Sequence, residues 1–378
     1  MKAVTYQGVK NIAVKEVPDP KIEKPDDMIV KITTTAICGS DLHLIHGMIP
    51  NMQEDFVIGH EPMGIVEEVG PDVRNLKKGD RVVIPFNIAC GQCAYCKNEL
   101  ESQCDNANEN GQMGAYFGYS GSTGGYAGGQ AEYLRVPFAN FTHFKVPEDS
   151  EVEDEKLGLM ADAMTTAYWS VDNAGVKDGD TVIVLGCGPV GLLTQKFCWL
   201  KGAKRVIAVD YVGYRLEHAK RTNRVETVNF EQESNIGSCL KEMTQGGADV
   251  VIDAVGMDGK MSDLEFLASG LKLQGGTLSP IVIASQAVRK GGTIQVTGIY
   301  GGRYNGFPLG DLMQRNINLR MGQAPVIHYL PYMYELLTTG KVDPGDIITH
   351  VLPLSEAKQG YELFDAKTDN CIKVMLKP

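Results

Sequence analysis

The chain has no uninterrupted apolar run that approaches the roughly 18 residues a membrane-spanning helix needs. Its first residues, Met1 to Lys10, go straight into strand-like alternation and lack the cationic stretch and apolar core of a secretory signal. No membrane is therefore expected as a partner, and the cytoplasm is the expected compartment. Basic runs are missing too. Lys and Arg number 36 against 47 Asp and Glu, a formal charge of −11, which argues against nucleic acid or an anionic membrane surface as a partner. Internal repeats and low-complexity tracts are also absent. What remains is an ordinary globular composition, 43% hydrophobic and 22% charged over 378 residues, long enough for two domains.

The pattern changes along the chain. The first ~150 residues hold short strand-like runs (Met28–Ile32, Met63–Val69, Asp80–Ile84, Ala131–Val136) separated by turn residues, which predicts a β-rich, barrel-like domain. From Thr181–Leu185, a continuous apolar strand, the pattern alternates. A helix over Pro189–Leu200 is followed by a strand at Arg205–Asp210, a helix over Tyr214–Arg224, a strand at Val225–Val228 and a helix over Asn235–Thr244. Strands at Val250–Ala254 and Thr293–Thr297 complete it. Alternation of this kind predicts βαβ units in a doubly wound parallel sheet, with Thr293–Thr297 near its edge. The long 255–292 connection reads as a helix plus a surface loop, and the tail Ile372–Leu376 as a strand returning to the first domain.

Nine cysteines are present, and four fall in one window: Cys90, Cys93, Cys96 and, after seven intervening residues, Cys104. Two-residue gaps let the backbone wrap one tetrahedral ion, and four thiolates leave no position for water or substrate, so this lobe predicts a structural zinc. Redox cysteines and an iron–sulfur cluster are the other readings, but the spacing matches neither common ferredoxin pattern.

The segment Gly186-Cys187-Gly188-Pro189-Val190-Gly191 follows a strand and opens a helix, the two flanks that a dinucleotide fingerprint requires. Gly186 would make the turn, Gly188 admit the pyrophosphate, and Gly191 let helix and strand approach, with Pro189 and Val190 at the helix's positive end. Asp210, 24 positions after Gly186, ends the next strand. An acid there accepts ribose hydroxyls and repels a 2′-phosphate, which predicts NAD; a cap on the following helix is the plainer alternative. Arg215 could meet a phosphate, although its Arg-Leu-Glu context on a helix equally suits a solvated face.

Three further strings stand out: Cys38-Gly39-Ser40-Asp41-Leu42-His43, Gly59-His60-Glu61 and Met160-Ala161-Asp162 through Thr166. Taken singly, each fits a core residue as well as a ligand. Together with the thiolate lobe and the glycine loop, Cys38, His60 and Asp162 offer sulfur, nitrogen and oxygen donors with a fourth position open, the arrangement of a catalytic zinc.

This set, in this order, resembles the zinc-containing medium-chain dehydrogenase/reductase superfamily over essentially the whole chain. Asp162, where most alcohol dehydrogenases of that superfamily have Cys, is similar to the branch of glutathione-independent formaldehyde dehydrogenase and formaldehyde dismutase. The string Gly128-Gly129-Gln130-Ala131-Glu132-Tyr133 and the long 255–292 connection share that likeness. The resemblance implies an α/β fold: a GroES-like catalytic domain at 1–163 and 324–378 with a zinc lobe at about 88–106, and a Rossmann domain at 164–323. It implies two zinc ions per subunit, NAD, a small alcohol or aldehyde substrate, and a homo-oligomer, a tetramer before a dimer. Ser40 then takes the place of a proton-relay hydroxyl that hands on to His43 at the surface. Asp41 orients a ligand histidine, His60, and Glu61 is a transient zinc ligand or an ordinary buried ion pair. Thr166 packs on nicotinamide, and Lys373 contacts the pyrophosphate. Gly39 departs from the family, where Arg or His often grips the pyrophosphate. Phe86 is expected to line the pocket or pack in the core. The alternatives are a formaldehyde dehydrogenase or aldehyde dismutase with tightly held NAD, a polyol, sugar or amino-alcohol dehydrogenase, and an inactive zinc- and nucleotide-binding protein.

Overall fold

The computed structural model describes residues 1–50, 52–109, 111, 113–260 and 276–378. They form two units: Met1–Thr165 with Ala324–Pro378, and Thr166–Gln323.

The second unit is built on six parallel strands, in the order Glu226–Asn229, Arg205–Asp210, Thr181–Leu185, Ala248–Asp253, Val288–Val296 and Asn318–Met321. The central strands are apolar on both faces because helices cover both, and Ile183, Ile207, Val251 and Ile294 pack in one cluster with Leu240 and Ala284. Helix Pro189–Leu200 starts with Pro at its first position, where a missing N–H costs nothing. Helix Ile236–Met243 starts from Asn235, whose side chain accepts the Ser238 N–H at 3.0 Å.

One expectation is corrected here and another refined. The helix expected over Tyr214–Arg224 is α-helical only at Gly213–His218 and then widens into a π-type turn at Ala219–Asn223. The wider turn brings Asn223 inward, where its amide donates to Leu192 O and Gln195 Oε1, both at 2.8 Å. The strand around Thr293–Thr297 does lie near the edge, one strand in from it. It is paired on both sides, and the edge is Asn318–Met321, whose side chains are mostly exposed and so give no apolar run to read. Part of the 255–292 connection, residues 261–275, lies outside the described residues; the rest includes helix Ser279–Ala287.

The first unit holds a seven-stranded, mainly antiparallel sheet. Its path runs Ile348–Pro353, Lys373–Lys377, Met28–Ala36, Met63–Val69, Arg81–Val83 and Phe144–Lys145, with Tyr133–Val136 also on Met28–Ala36. Two separate antiparallel pairs accompany it, the hairpin of Lys2–Tyr6 with Ile12–Glu16 and the pair of Asn87–Ile88 with Ala115–Tyr116. The tail does return: Met375 faces Ala36 and Leu376 faces Thr35. This pairing brings Lys373 to the end of the strand that leads to Cys38. Loops rather than strands carry Cys38, His60, Glu61 and Asp162, while the strands next to them fix where those loops start.

Candidate metal and coenzyme sites

The four cysteines of the lobe converge. Sγ–Sγ distances are 4.0 Å for Cys90–Cys96, 3.5 Å for Cys93–Cys96 and 3.9 Å for Cys93–Cys104. A zinc ion with Zn–S bonds of about 2.3 Å requires tetrahedral edges of about 3.8 Å, so the donor set fits. All nine cysteines are free thiols. Backbone N–H groups of Gln92 and Cys93 point at Cys90 Sγ, at 3.3 and 3.4 Å, and the Cys90 N–H points at Cys104 Sγ at 3.3 Å. The thiols respond differently: at Cys93 burial is outweighed by hydrogen bonds, first from the Cys96 backbone, which pull it down to about 7, whereas burial pushes Cys96 up and Cys104 up to about 11.

The second cluster joins Cys38, His60, Glu61 and Asp162, whose ligand atoms all lie within 4.8 Å of one another and whose side chains are buried. Asp162 Oδ2 lies 3.5 Å from Cys38 Sγ and 3.3 Å from His60 Nε2. His60 Nδ1 faces the other way, 3.2 Å from Asp41 Oδ1. That leaves Nε2 as the ring nitrogen aimed into the cluster, with Nδ1 turned to a carboxylate. Burial, then the charges of Asp162 and Glu61, push the Cys38 thiol up. Burial also pushes the Glu61 carboxyl up against the pull of Lys373. For His60, burial acts downward, and Asp41 and Asp162 overcome it and hold the imidazole well above its usual range. Each of the three shifts favours the protonated form, through burial first for Cys38 and Glu61 and, against burial, through the neighbouring carboxylates for His60. A divalent cation balances the charge of the deprotonated donors, so this set also fits a metal. Ser40 Oγ lies 3.2 Å from His60 Nε2, at the edge of the cluster. The Phe86 ring stands edge-on to His60 at 6.3 Å and is otherwise packed on Tyr116.

Lys373 does not stand free to meet a pyrophosphate, as the resemblance implied. Its ammonium lies 2.6 and 2.8 Å from the two oxygens of Glu61, with side-chain exposures of 1% and 0%. Glu61 is thus both a member of the donor cluster and half of a buried ion pair, so the two readings of this residue are not exclusive. His43 is not at the surface. It is 4% exposed, on the inward side of helix Gly39–Ile45 beside Leu42 and Leu44. His46, one turn on, pairs with Asp365 at 3.1 Å.

In the parallel-sheet unit, the glycine loop joins strand Thr181–Leu185 to helix Pro189–Leu200. Gly186 makes the turn at φ 94°, and a Cβ on Gly191 would sit 2.0 Å from the Gly186 carbonyl oxygen, so only glycine allows this approach. Gly188 is the extended residue before the helix, and a Cβ there would meet only the Arg215 guanidinium. Asp210 Oδ2 accepts the Cys187 N–H at 2.6 Å, and Oδ1 accepts those of Tyr211 and Val212 at 2.7 and 2.9 Å. Arg215 is 8% exposed, not on a solvated face; its Nη1 lies 3.8 Å from where a Gly188 Cβ would be, and its Nε is buried with no hydrogen-bond partner among the described residues. Cys187 is fully buried, with Gln195 Nε2 at 3.6 Å from its sulfur. Thr166 is half-buried in helix Ala163–Ala174. Sequence reasoning missed Gln130, Tyr361 and Tyr119. The Tyr119 ring stands edge-on to His60 at 6.4 Å, and the hydroxyl of Tyr361 reaches Gln130 Oε1 at 2.9 Å. Gln130 was visible only as part of a family-like string.

Residues 24–148 match the alcohol dehydrogenase GroES-like domain, and residues 189–273 match the zinc-binding dehydrogenase family. The zinc-type alcohol dehydrogenase-like protein AdhB of Bacillus subtilis (strain 168) is 80% identical over 378 residues, the full length of both chains. The glutathione-independent formaldehyde dehydrogenase of the same organism is 32% identical, with 96% of this chain and 94% of that protein covered. The alcohol dehydrogenase TADH from Thermus sp. ATN1 superposes with a TM-score of 0.84 at 36% identity, covering 100% of this chain and 99% of that one. A GroES-like β domain with a thiolate lobe, a mixed-donor cluster and a doubly wound nucleotide-type sheet define a zinc-dependent oxidoreductase of two domains. The chain belongs to the zinc-type alcohol dehydrogenases of the medium-chain dehydrogenase/reductase superfamily.

If both donor sets hold metal, elemental analysis of the purified protein returns close to two zinc ions per chain. Cys96→Ser then returns about one and lowers the thermal midpoint, because a structural zinc contributes folding free energy directly. A wild-type value of one or none overturns the assignment.

Proposed function

We propose that the protein transfers a hydride between a small alcohol or aldehyde and NAD, at a zinc ion held by Cys38, His60 and Asp162. The observation that carries this reading is the convergence of sulfur, nitrogen and carboxylate donors within 4.8 Å, with the Ser40 hydroxyl 3.2 Å from the ligand imidazole. A zinc ion so held supplies Lewis acidity, which lowers the pKa of an alcohol and polarises an aldehyde carbonyl. The chain's own groups do the rest. Cys38, His60 and Asp162 leave one position open for substrate. Ser40 receives the substrate proton and passes it towards His43, whose burial means that the proton needs a further carrier to reach water. Asp41 holds the His60 proton on Nδ1. Glu61, balanced by Lys373, is a further donor within 4.8 Å of the other three and would help hold the ion. Gly186, Gly188, Pro189, Val190 and Gly191 receive the pyrophosphate, with Arg215 beside them, Asp210 takes the adenosine ribose, and Thr166 packs on nicotinamide.

Absorbance at 340 nm with NAD and a panel of short alcohols, run in reverse with aldehydes and NADH, tests the reading. Ser40→Ala should lower kcat by about 100–10,000-fold with its zinc content intact. No turnover of any alcohol by a fully zinc-loaded protein would favour an inactive binding protein.

Asp210→Ala should lower kcat/KM for NAD by about 10–100-fold, the loss of hydrogen bonds to a charged acceptor, and narrow the gap to NADP. Wild-type protein that uses both coenzymes equally would remove Asp210 from this role.

Formaldehyde oxidation or aldehyde dismutation is the second reading. It is favoured by Asp162 as a ligand and by the 32% identity to a formaldehyde dehydrogenase over 96% of the chain. Stoichiometric NAD in protein purified without added coenzyme would select it; free exchange would select ordinary dehydrogenation.

A homotetramer in the cytoplasm completes the proposal. The edge strand Asn318–Met321, with Leu309, Met313 and Met321 exposed nearby in sequence, offers unpaired backbone and apolar surface to a second copy. Sedimentation velocity should give a multiple of 41.1 kDa, and a monomer would end this part of the proposal.

A further inference from the structure

Behind Asp41 the buried polar groups form an unbroken chain that ends on a helix from the far end of the sequence. Gln130 is fully buried. Its Nε2 donates to Ala36 O at 3.0 Å and to Asp41 Oδ2 at 3.2 Å, and its Oε1 accepts from the Tyr361 hydroxyl at 2.9 Å. Two acceptors on one side and a hydroxyl donor on the other allow only this orientation of the amide. Asp41 Oδ2 also accepts the Cys38 N–H at 2.9 Å. That oxygen is therefore occupied twice, and only Oδ1 is left to face His60 Nδ1. The stem of Gln130 acts on the same histidine by a second route. It lies under Gly59, the residue before His60, which has φ 94° and whose Cβ, if present, would fall 2.3 Å from Gln130 Cγ.

We propose that Gln130 and Tyr361 are positioning residues of the mixed-donor site. Through Asp41 and Gly59 they fix the plane and tautomer of His60, so that its Nε2 lone pair meets the metal. The inference rests on the zinc reading of Cys38, His60 and Asp162. Tyr361 lies in helix Ala357–Ala366, so a residue 231 positions after Gln130 sets the strength of a ligand that it never touches. Polar chains of this sort reinforce one another in a buried setting.

The four-thiolate lobe supplies an internal reference, since no member of this chain touches it. Wild type, Gln130→Met and Tyr361→Phe are loaded with two zinc ions and mixed with excess chromogenic chelator, and the two release phases are timed. The mixed-donor zinc should leave about 10–100-fold faster from Gln130→Met, the usual cost of losing a residue behind a ligand. From Tyr361→Phe it should leave about fivefold faster, as befits one hydrogen bond. The thiolate zinc should leave at the wild-type rate in both. Cobalt put in place of the mixed-donor zinc should show a shifted visible band in both variants. General loosening of the fold would speed both phases together, and that result, or unchanged release, overturns the proposal. Should Gln130→Met fail to fold, Tyr361→Phe decides alone. Wild-type protein that holds zinc only in the thiolate lobe sinks the metal reading itself, whereas a two-zinc wild type whose variants keep their metal sinks only this inference.

Discussion

Buried negative charge is the constraint on which the first unit is arranged. Cys38, Glu61 and Asp162 bring a thiol and two carboxyls inside 4.8 Å, away from water, with Asp41 behind the histidine that joins them. A buried ion is tolerated only when it is paired and hydrogen-bonded. The surroundings meet that demand with specific partners: Lys373 for Glu61, the Cys38 N–H and the Gln130 amide for Asp41, and the His60 imidazole for Asp162 and Asp41. A divalent cation would supply the rest of the balance. The pairing of strand Lys373–Lys377 beside Met28–Ala36 is what brings a fully buried lysine to Glu61.

The parallel-sheet unit is under a different constraint, the close passage of backbone at the glycine loop. Gly191 allows helix and strand to approach, and Asp210 ties the loop by accepting the Cys187 N–H. In this structure the same carboxylate holds three backbone N–H groups and so caps the turn.

Much of this was legible in the sequence, for a physical reason. Strands buried on both faces, such as Thr181–Leu185 and Arg205–Asp210, are written as apolar runs, and ligand sets for one ion are written as short spacings, as at Cys90-Gly-Gln-Cys93. What escaped was whatever depends on partners far away in the chain. Arg215 sits on a helix that looks solvated, yet it is buried beside Gly188. Lys373 looked like a cation for a ligand and belongs to Glu61, 312 positions away. The edge strand Asn318–Met321 has one neighbour and exposed side chains, so it carries no pattern to detect. Gln130 and Tyr361 are single polar residues whose meaning comes only from each other.

The 312 positions between Glu61 and Lys373 have a consequence for biosynthesis. Chains leave the ribosome N-terminus first, at about 5–20 residues per second. The acidic pocket is therefore made early and its counter-charge nearly last, while the whole parallel sheet is translated in between. For that interval, tens of seconds by this rate, the nascent first domain holds thiol and carboxyl donors without their lysine and without the strand that carries it.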